Sequence, residues 1–521
     1  MLSYDELTSP ERELWDAFPE GRRVDLRTGT PEEDLVADGG RWGSERTVRA
    51  AVVTALLLGA NVGQAGTVAR LRLTGARISG RLDLAGAQID HALWLEECWF
   101  EEAVNLLGAS TQALVFTDSR IPGIEADSAR IEGNFSLRRA VVEGGAPTPF
   151  NRVNTALSLT DARVNGGLLL NGAKLIAPDG WALSAGGLAV EGGVFCRNGF
   201  VAHGEVRLMG AQLPGTLAMQ GARLEGPGPR GVALTLDNAR ASSLKFSEGF
   251  TVNGTVRLRG TQVTDNVTFD RAVLNGPPTD GGNVPALIAT HLQAVDLELT
   301  LARPPSGTFD LRGAQVSYLH ENEHSWPRKV ELNGFVYGSI NTAGANNERH
   351  EAVGDRESVA RRVAWIRSSP GYNPQPYEQL AAWYRKAGHD DDARRVLLAK
   401  QRHRRRALSP AARAWGHLLD VTVGYGYRPW LAGVWLLALT LLGALSFGTH
   451  SPNPVKQGEG APFQPFVYTL DLLIPIGGLG QRAAWYWSND SLQWLAYLLI
   501  AFGWVLTTAL IAGVTRVLQK N

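Results

Sequence analysis

Along much of the chain, apolar residues come in pairs two positions apart, and the pairs repeat every eleven residues. Leu71-Arg-Leu-Thr-Gly-Ala-Arg-Ile78 is followed by Leu82-Asp-Leu-Ala-Gly-Ala-Gln-Ile89, and Leu93-Trp-Leu95 with Cys98-Trp-Phe100 keeps the register. The pattern returns at Leu157/Leu159/Ala162/Val164, Leu168/Leu170/Ala173/Leu175, Val206/Leu208/Ala211/Leu213 and Leu217/Met219/Ala222/Leu224. It continues through Val256/Leu258/Thr261/Val263 and Val267/Phe269/Ala272/Leu274 to Phe309/Leu311/Ala314/Val316 and Val330/Leu332/Phe335/Tyr337. Residues two apart on an extended chain face the same side, so each pair predicts a short strand with one buried face. The Gly that often precedes the small corner residue marks a sharp turn where positive φ is tolerated. One such strip cannot bury its face alone, but stacked coils can, each strand pairing in parallel with its copy in the next coil. Two units make a coil of roughly 22 residues, a solenoid period. The predicted fold class is mainly β, a parallel β-helix over residues 67–340. Gly226-Pro-Gly-Pro229 and Gly276-Pro-Pro278 are expected as loops bulging from coil corners.

The flanks carry other periods. Residues 5–18 and 45–58 show helical spacing, so 1–66 is expected to form a helical cap over the first coil, whose open edge would otherwise invite pairing. Beyond the repeat, 341–427 reads as a connector. It comprises a polar linker (341–347), a helix (357–366) and a helix-turn-helix from Tyr377, Leu380, Ala381, Tyr384, Gly388, Ala393 and Leu397. Residues 430–447 and 492–514 are uncharged apolar runs close to the roughly 20 residues needed to cross a bilayer. They define a segment 428–516 with two transmembrane helices, followed by a tail, 517–521.

Charge orients this arrangement. Lys400, Arg402, Arg404, Arg405 and Arg406 precede the first run, with Arg413; Arg516 and Lys520 follow the second. The loop between carries only Lys456 and Arg482. The positive-inside rule then puts both termini of a multi-pass protein in the cytoplasm of a bacterial cell, at its cytoplasmic membrane. The basic run is expected to meet anionic lipid, so membrane lipid is a predicted partner. The first residues lack the basic and apolar regions of a signal peptide, in keeping with a cytoplasmic β-helix.

Composition excludes several chemistries. The 521 residues carry a formal net charge of +0, which gives no basic excess for nucleic acid, and none is expected as a partner. Only Cys98 and Cys196 are present, too few for a disulfide framework or a Cys/His zinc quartet, and both fall on buried repeat positions. His320-Glu321-Asn322-Glu323-His324 satisfies HExxH, which binds zinc when a helix brings its two histidines together. Trp326-Pro327 breaks any helix there, leaving His320 and His324 as weak metal candidates. No dinucleotide, phosphate-binding or hydrolase motif is present, so no catalytic residue and no cofactor is predicted.

Several resemblances attach to these residues. The repeat resembles pentapeptide-repeat and bactofilin-like β-helices, without a strict five-residue period. The helix-turn-helix resembles one tetratricopeptide unit. The order span, short apolar segment 466–475, Gly-rich turn, span over 428–516 resembles a two-transmembrane ion-channel pore domain. Gly478 and Gly480 match the two filter glycines and Gly477 precedes them. Leu479 stands at the aromatic position and Ile476 where threonine is usual. The whole layout, with Gly-Tyr-Gly-Tyr-Arg-Pro-Trp at 424–430, is similar to actinobacterial membrane proteins often labelled membrane-associated oxidoreductase. That resemblance implies redox activity but identifies no residue to carry it. The first functional expectation is a non-enzymatic scaffold at the inner membrane, self-assembling as a homo-oligomer or holding an unidentified protein partner. The alternatives are an oligomeric ion-channel-like pore and a membrane-associated oxidoreductase.

Overall fold

In the structure, a computed structural model, the paired apolar residues lie on short parallel strands stacked rung over rung. It describes residues 3–61, 63, 66–145, 153–277, 284–342, 356–406, 408–427, 430–456, 458, 461–475 and 477–518. Two compact units are present: Met1–Asp355 with Ala364–Gly371, and Arg356–Val363 with Tyr372–Asn521.

The first unit is a β-solenoid of about 11 coils, and its described strands form one 19-stranded and one 18-stranded parallel sheet. Each coil has four walls. The first carries Leu71, Leu93, Leu114, Phe135, Leu168 and Val194 in register, continuing to Ile340. The second carries Ile78, Phe100, Ile121, Val142 and Leu175, the third Val104, Ile124, Leu157, Leu183 and Val206, and the fourth Ile89, Thr111, Ile131 and Val164. An eleven-residue unit is therefore half of a four-sided coil. Its inward side chains are essentially solvent-free, and Phe100, Phe116 and Phe135 meet edge to face at 5.9 and 6.2 Å along the axis.

The turn slot proves broader than the glycine reading. Gly75 and Gly86 do adopt φ of 70° and 66°, but Asp118, Arg139, Asp161 and Asn238 take φ between 54° and 57° at equivalent positions. The conformation is what the coil repeats, and several residue types meet its cost. Insertions concentrate at one edge. The step from second to third wall is short at Ile121 to Ile124 and long from Val142 to Leu157, Leu175 to Leu183, Leu224 to Leu234 and Leu274 to Leu287. The two predicted Pro/Gly loops lie there, with Pro278 outside the described residues.

The cap departs from its helical reading. Helix α1 is Ser9–Ala17 and α2 is Ala50–Leu57, both shorter than their apolar patterns. Between them Val24–Asp25 pairs with Leu73–Thr74, and Thr47–Arg49 pairs with Arg77–Ser79. The cap thus contributes a rung to each sheet and seals the end with helix. At the other end, Trp365 stacks on Trp326 with ring centroids 4.7 Å apart.

The second unit is helical: α3 (Arg356–Arg367, shared with the first unit), α4 (Gln375–Lys386), α5 (Asp390–Arg406), α6 (Pro410–Val423), α7 (Trp430–Gly448), α8 (Pro465–Leu473), α9 (Gln481–Ala484) and α10 (Asp490–Leu518). The predicted helix-turn-helix is α4 and α5, turning at Gly388 with φ +82° and burying Tyr377, Leu380, Tyr384, Ala393 and Leu397. Most of the predicted linker 341–347 lies outside the described residues. Helices α7 and α10 are long and apolar enough to cross a membrane.

Glu11 locks the cap. Its carboxylate takes both Nε and Nη2 of Arg49, at 2.8 and 2.7 Å, and the amide of Thr8 at 2.9 Å. Burial raises the carboxyl pKa, but the Arg49 guanidinium and the amides of Thr8 and Arg49 outweigh it and hold it at about 2. A folded pKa below the unfolded value stabilises above the unfolded value, and the gain is lost as pH falls through the folded one. Melting temperature of the detergent-solubilised chain should therefore fall as pH drops from about 4.5 towards 2. Glu11→Gln should lower it at neutral pH and flatten that part of the profile, measured by circular dichroism.

Candidate functional site

The HExxH segment does not form a helix. His320 lies within the strand Gln315–Glu321, while His324 sits in the 3-10 turn Glu323–Ser325. His320 Nε2 lies 3.1 Å from Asp296 Oδ1 and His324 Nδ1 lies 3.1 Å from Asn322 Oδ1, so each ring has its own local partner. Among the described residues, no three His, Cys, Asp or Glu side chains gather as a metal site would require. Cys98 and Cys196 face the core, and burial pushes both thiols up, Cys98 to about 12. Neither is a reactive thiolate.

The basic run separates into two sets. Lys400 pairs with Glu378, while Arg402 and Arg405 both reach Asp420, at 2.9 and 3.1 Å. These three tie α5 to α4 and α6. Arg404 and Arg406 are exposed and make no ion pair with any described residue, so they are the cations left for an external anion.

Helix α8 is held between α7 and α10 by glycines. A Cβ on Gly443 would lie 2.3 Å from Thr469, and one on Gly503 would lie 2.3 Å from the Leu473 carbonyl. Small residues of this kind let apolar helices approach closely. Phe447, Tyr468, Leu472, Trp487 and Leu499 fill the space that remains. Asp471, buried at the end of α8, accepts from the amides of Leu479 at 2.7 Å and Arg482 at 2.8 Å. That carboxylate pins the glycine turn. Gly477, Gly478, Leu479 and Gly480 project as an exposed tip, and Ile476 lies outside the described residues.

One feature escaped the sequence reading altogether. On the insertion edge of the solenoid lies a cavity of about 360 Å³, within the range of small-molecule sites. Its floor is the third wall, where the register places Ser184, Arg207, Thr235 and Arg257 on successive rungs. Its rim comes from the insertions, with Trp181 on the long strand Lys174–Ser184 and Pro229 and Arg230 in the loop after Gly226. The Arg207 guanidinium lies 4.4 Å over the Trp181 ring. Glu205 is buried and accepts from Thr235 Oγ1 at 2.7 Å; burial pushes its carboxyl above the usual range despite that bond and Arg207 nearby. Two signals were present in the sequence: a tryptophan where the register breaks, and alternating charge in Glu205-Val-Arg207. Only the stacking shows that they meet.

Replacing Asp471 by alanine should leave two amides without their acceptor, at a cost of about 1–3 kcal/mol. Trypsin should then cut after Arg482 faster than in the wild type, while Asp471→Asn, which keeps an acceptor, should fall between; mass spectrometry of the digest reads this.

No protein-family model matches the chain, and neither a curated protein nor a solved structure does so.

Proposed function

We propose that the chain is a membrane-anchored scaffold, with a β-helix held at the inner membrane surface by two spans and both termini in the cytoplasm. The observation that carries this reading is the exposure of the two apolar helices. Only 22% of the α7 window and 28% of the α10 window is buried, whereas the core helix of a soluble protein would be mostly covered. Leu437, Leu445, Trp494 and Val505 are each more than half exposed, so the bare surface is broad and apolar. A bilayer is the solvent that suits it, and the scarcity of Lys and Arg between the spans sets the orientation. Arg404 and Arg406, exposed and without an ion pair to any described residue, supply contacts for lipid headgroups. The solenoid's contribution is a rigid surface whose outward residues vary while its core does not. Repeat proteins bind through such surfaces or associate with copies of themselves.

Alkaline phosphatase fused at residue 458 should be active, and the same enzyme fused at the C-terminus inactive. The reverse pattern would overturn the orientation. Sedimentation of the detergent-solubilised chain should show a homo-oligomer; a strict monomer would remove self-assembly from the proposal.

A pore is the second reading, favoured by the seating of α8 between two spans with a glycine tip exposed beyond it. Backbone carbonyls from several copies could converge there. On this reading the reconstituted oligomer conducts ions across a planar bilayer and Gly478→Val abolishes the current. Absence of conductance from a verified oligomer would leave the scaffold alone.

A further inference from the structure

We propose that the cavity on the insertion edge binds a small organic anion, a carboxylate carried on a flat aromatic body. Among the described residues, three guanidinium groups, those of Arg207, Arg230 and Arg257, line this one recess, and Glu205 is the one acid lining it. Glu205 is already engaged: Oε1 accepts from Thr235 and lies 3.5 Å from Arg207 Nε. Asp237 pairs with Arg257 beside the cavity, leaving an excess of positive charge. Arg230 is exposed and makes no ion pair or hydrogen bond with any described residue. Arg257 Nε is buried and has no hydrogen-bond acceptor among the described residues, so a donor stands beside the recess.

Many outer charges elsewhere on the solenoid meet an acid on a neighbouring rung. Arg77 with Glu101, Arg120 with Glu143 and Arg139 with Asp118 are one-to-one pairs between neighbouring rungs. Among the described residues at the cavity the cations outnumber the acids, and they line a hollow rather than a flat wall. A carboxylate fits that charge, because a guanidinium offers paired donors to its two oxygens.

The apolar lining selects the remainder of the ligand. Trp181, Met209 and Val232 line the recess, and Met209 is 44% exposed at an outward position of its rung. A thioether and an indole favour an aromatic ring over an aliphatic chain of similar size. Trp181 carries Arg207 over its ring at 4.4 Å, so the guanidinium plane also offers a stacking surface. The volume of about 360 Å³ suits a small molecule rather than a folded partner.

The inference does not rest on the membrane reading and is tested separately, with the full chain in detergent. Calorimetric titration with 2-naphthoate, corrected for empty micelles, should show saturable binding. The neutral 2-naphthamide should bind about tenfold or more weakly, the loss expected when a charge-assisted hydrogen bond becomes neutral. Inorganic phosphate should bind at least about tenfold more weakly than 2-naphthoate, because it lacks the ring. Arg230→Gln should cost about tenfold with little change in melting temperature, since Arg230 makes no ion pair or hydrogen bond with any described residue. Trp181→Ala should weaken binding to a similar degree. No saturable heat above micelles, equal affinity for the amide, phosphate binding as tight as 2-naphthoate, or wild-type affinity in Arg230→Gln would each overturn the proposal.

Discussion

The constraint behind this molecule is that each coil must satisfy the backbone of the next. Most of the strands run two to four residues, too short to stand alone, and a buried amide without an acceptor is costly. The ladder therefore runs through the corners as well as the walls. Gly86 donates to the Leu107 carbonyl at 2.7 Å, Gly108 to Asp127 at 2.8 Å, Ser128 to Thr160 at 2.7 Å and Asp161 to Gly186 at 2.7 Å. Each donor is the positive-φ residue of its turn. A residue added at such a corner would break a bond above and a bond below. This explains why the left-handed conformation persists there while the residue in the slot changes from glycine to serine, aspartate or arginine.

The corner between fourth and first walls is restricted by contact. Glycines stack there, and a Cβ on Gly166 would sit 2.5 Å from the Gly133 backbone. What remains is the corner between second and third walls, and that is where the chain lengthens. The core, the placement of insertions and the cavity among them all follow from the same pairing rule.

The sequence disclosed what repeats. Inward residues at i and i+2 are chosen by burial alone, so Leu71, Leu93 and Leu168 were legible without coordinates, as were the half-coil length and the buried Cys98. What depends on a distant partner was hidden. Thr47-Val48-Arg49 reads as the start of the Ala/Val/Leu helix after it, yet Ile78 and its neighbours draw it into the sheet. Lys400 to Arg406 reads as one solvated patch, because nothing in that run announces that Glu378 and Asp420 neutralise three of its members. The HExxH match shows the converse: a local pattern was visible, but the strand geometry of its first histidine removes the spacing on which the chemistry depends.

The cavity shows how such a fold acquires a site without risk to its core. Trp181, Arg207 and Arg257 are far apart in sequence, yet the rung spacing brings them to one place because each projects outward from the third wall or its edge. Exchanging any of them alters the chemistry of the recess and leaves the inward rungs of Leu183, Val206, Leu234 and Val256 untouched. The same separation applies in the second unit, where Gly443 and Gly503 set the helix packing while the tip at 477–480 touches little. In both places the residues that hold the fold and the residues free to meet something else are different residues, so substitutions in the second group report on function with little disturbance of folding.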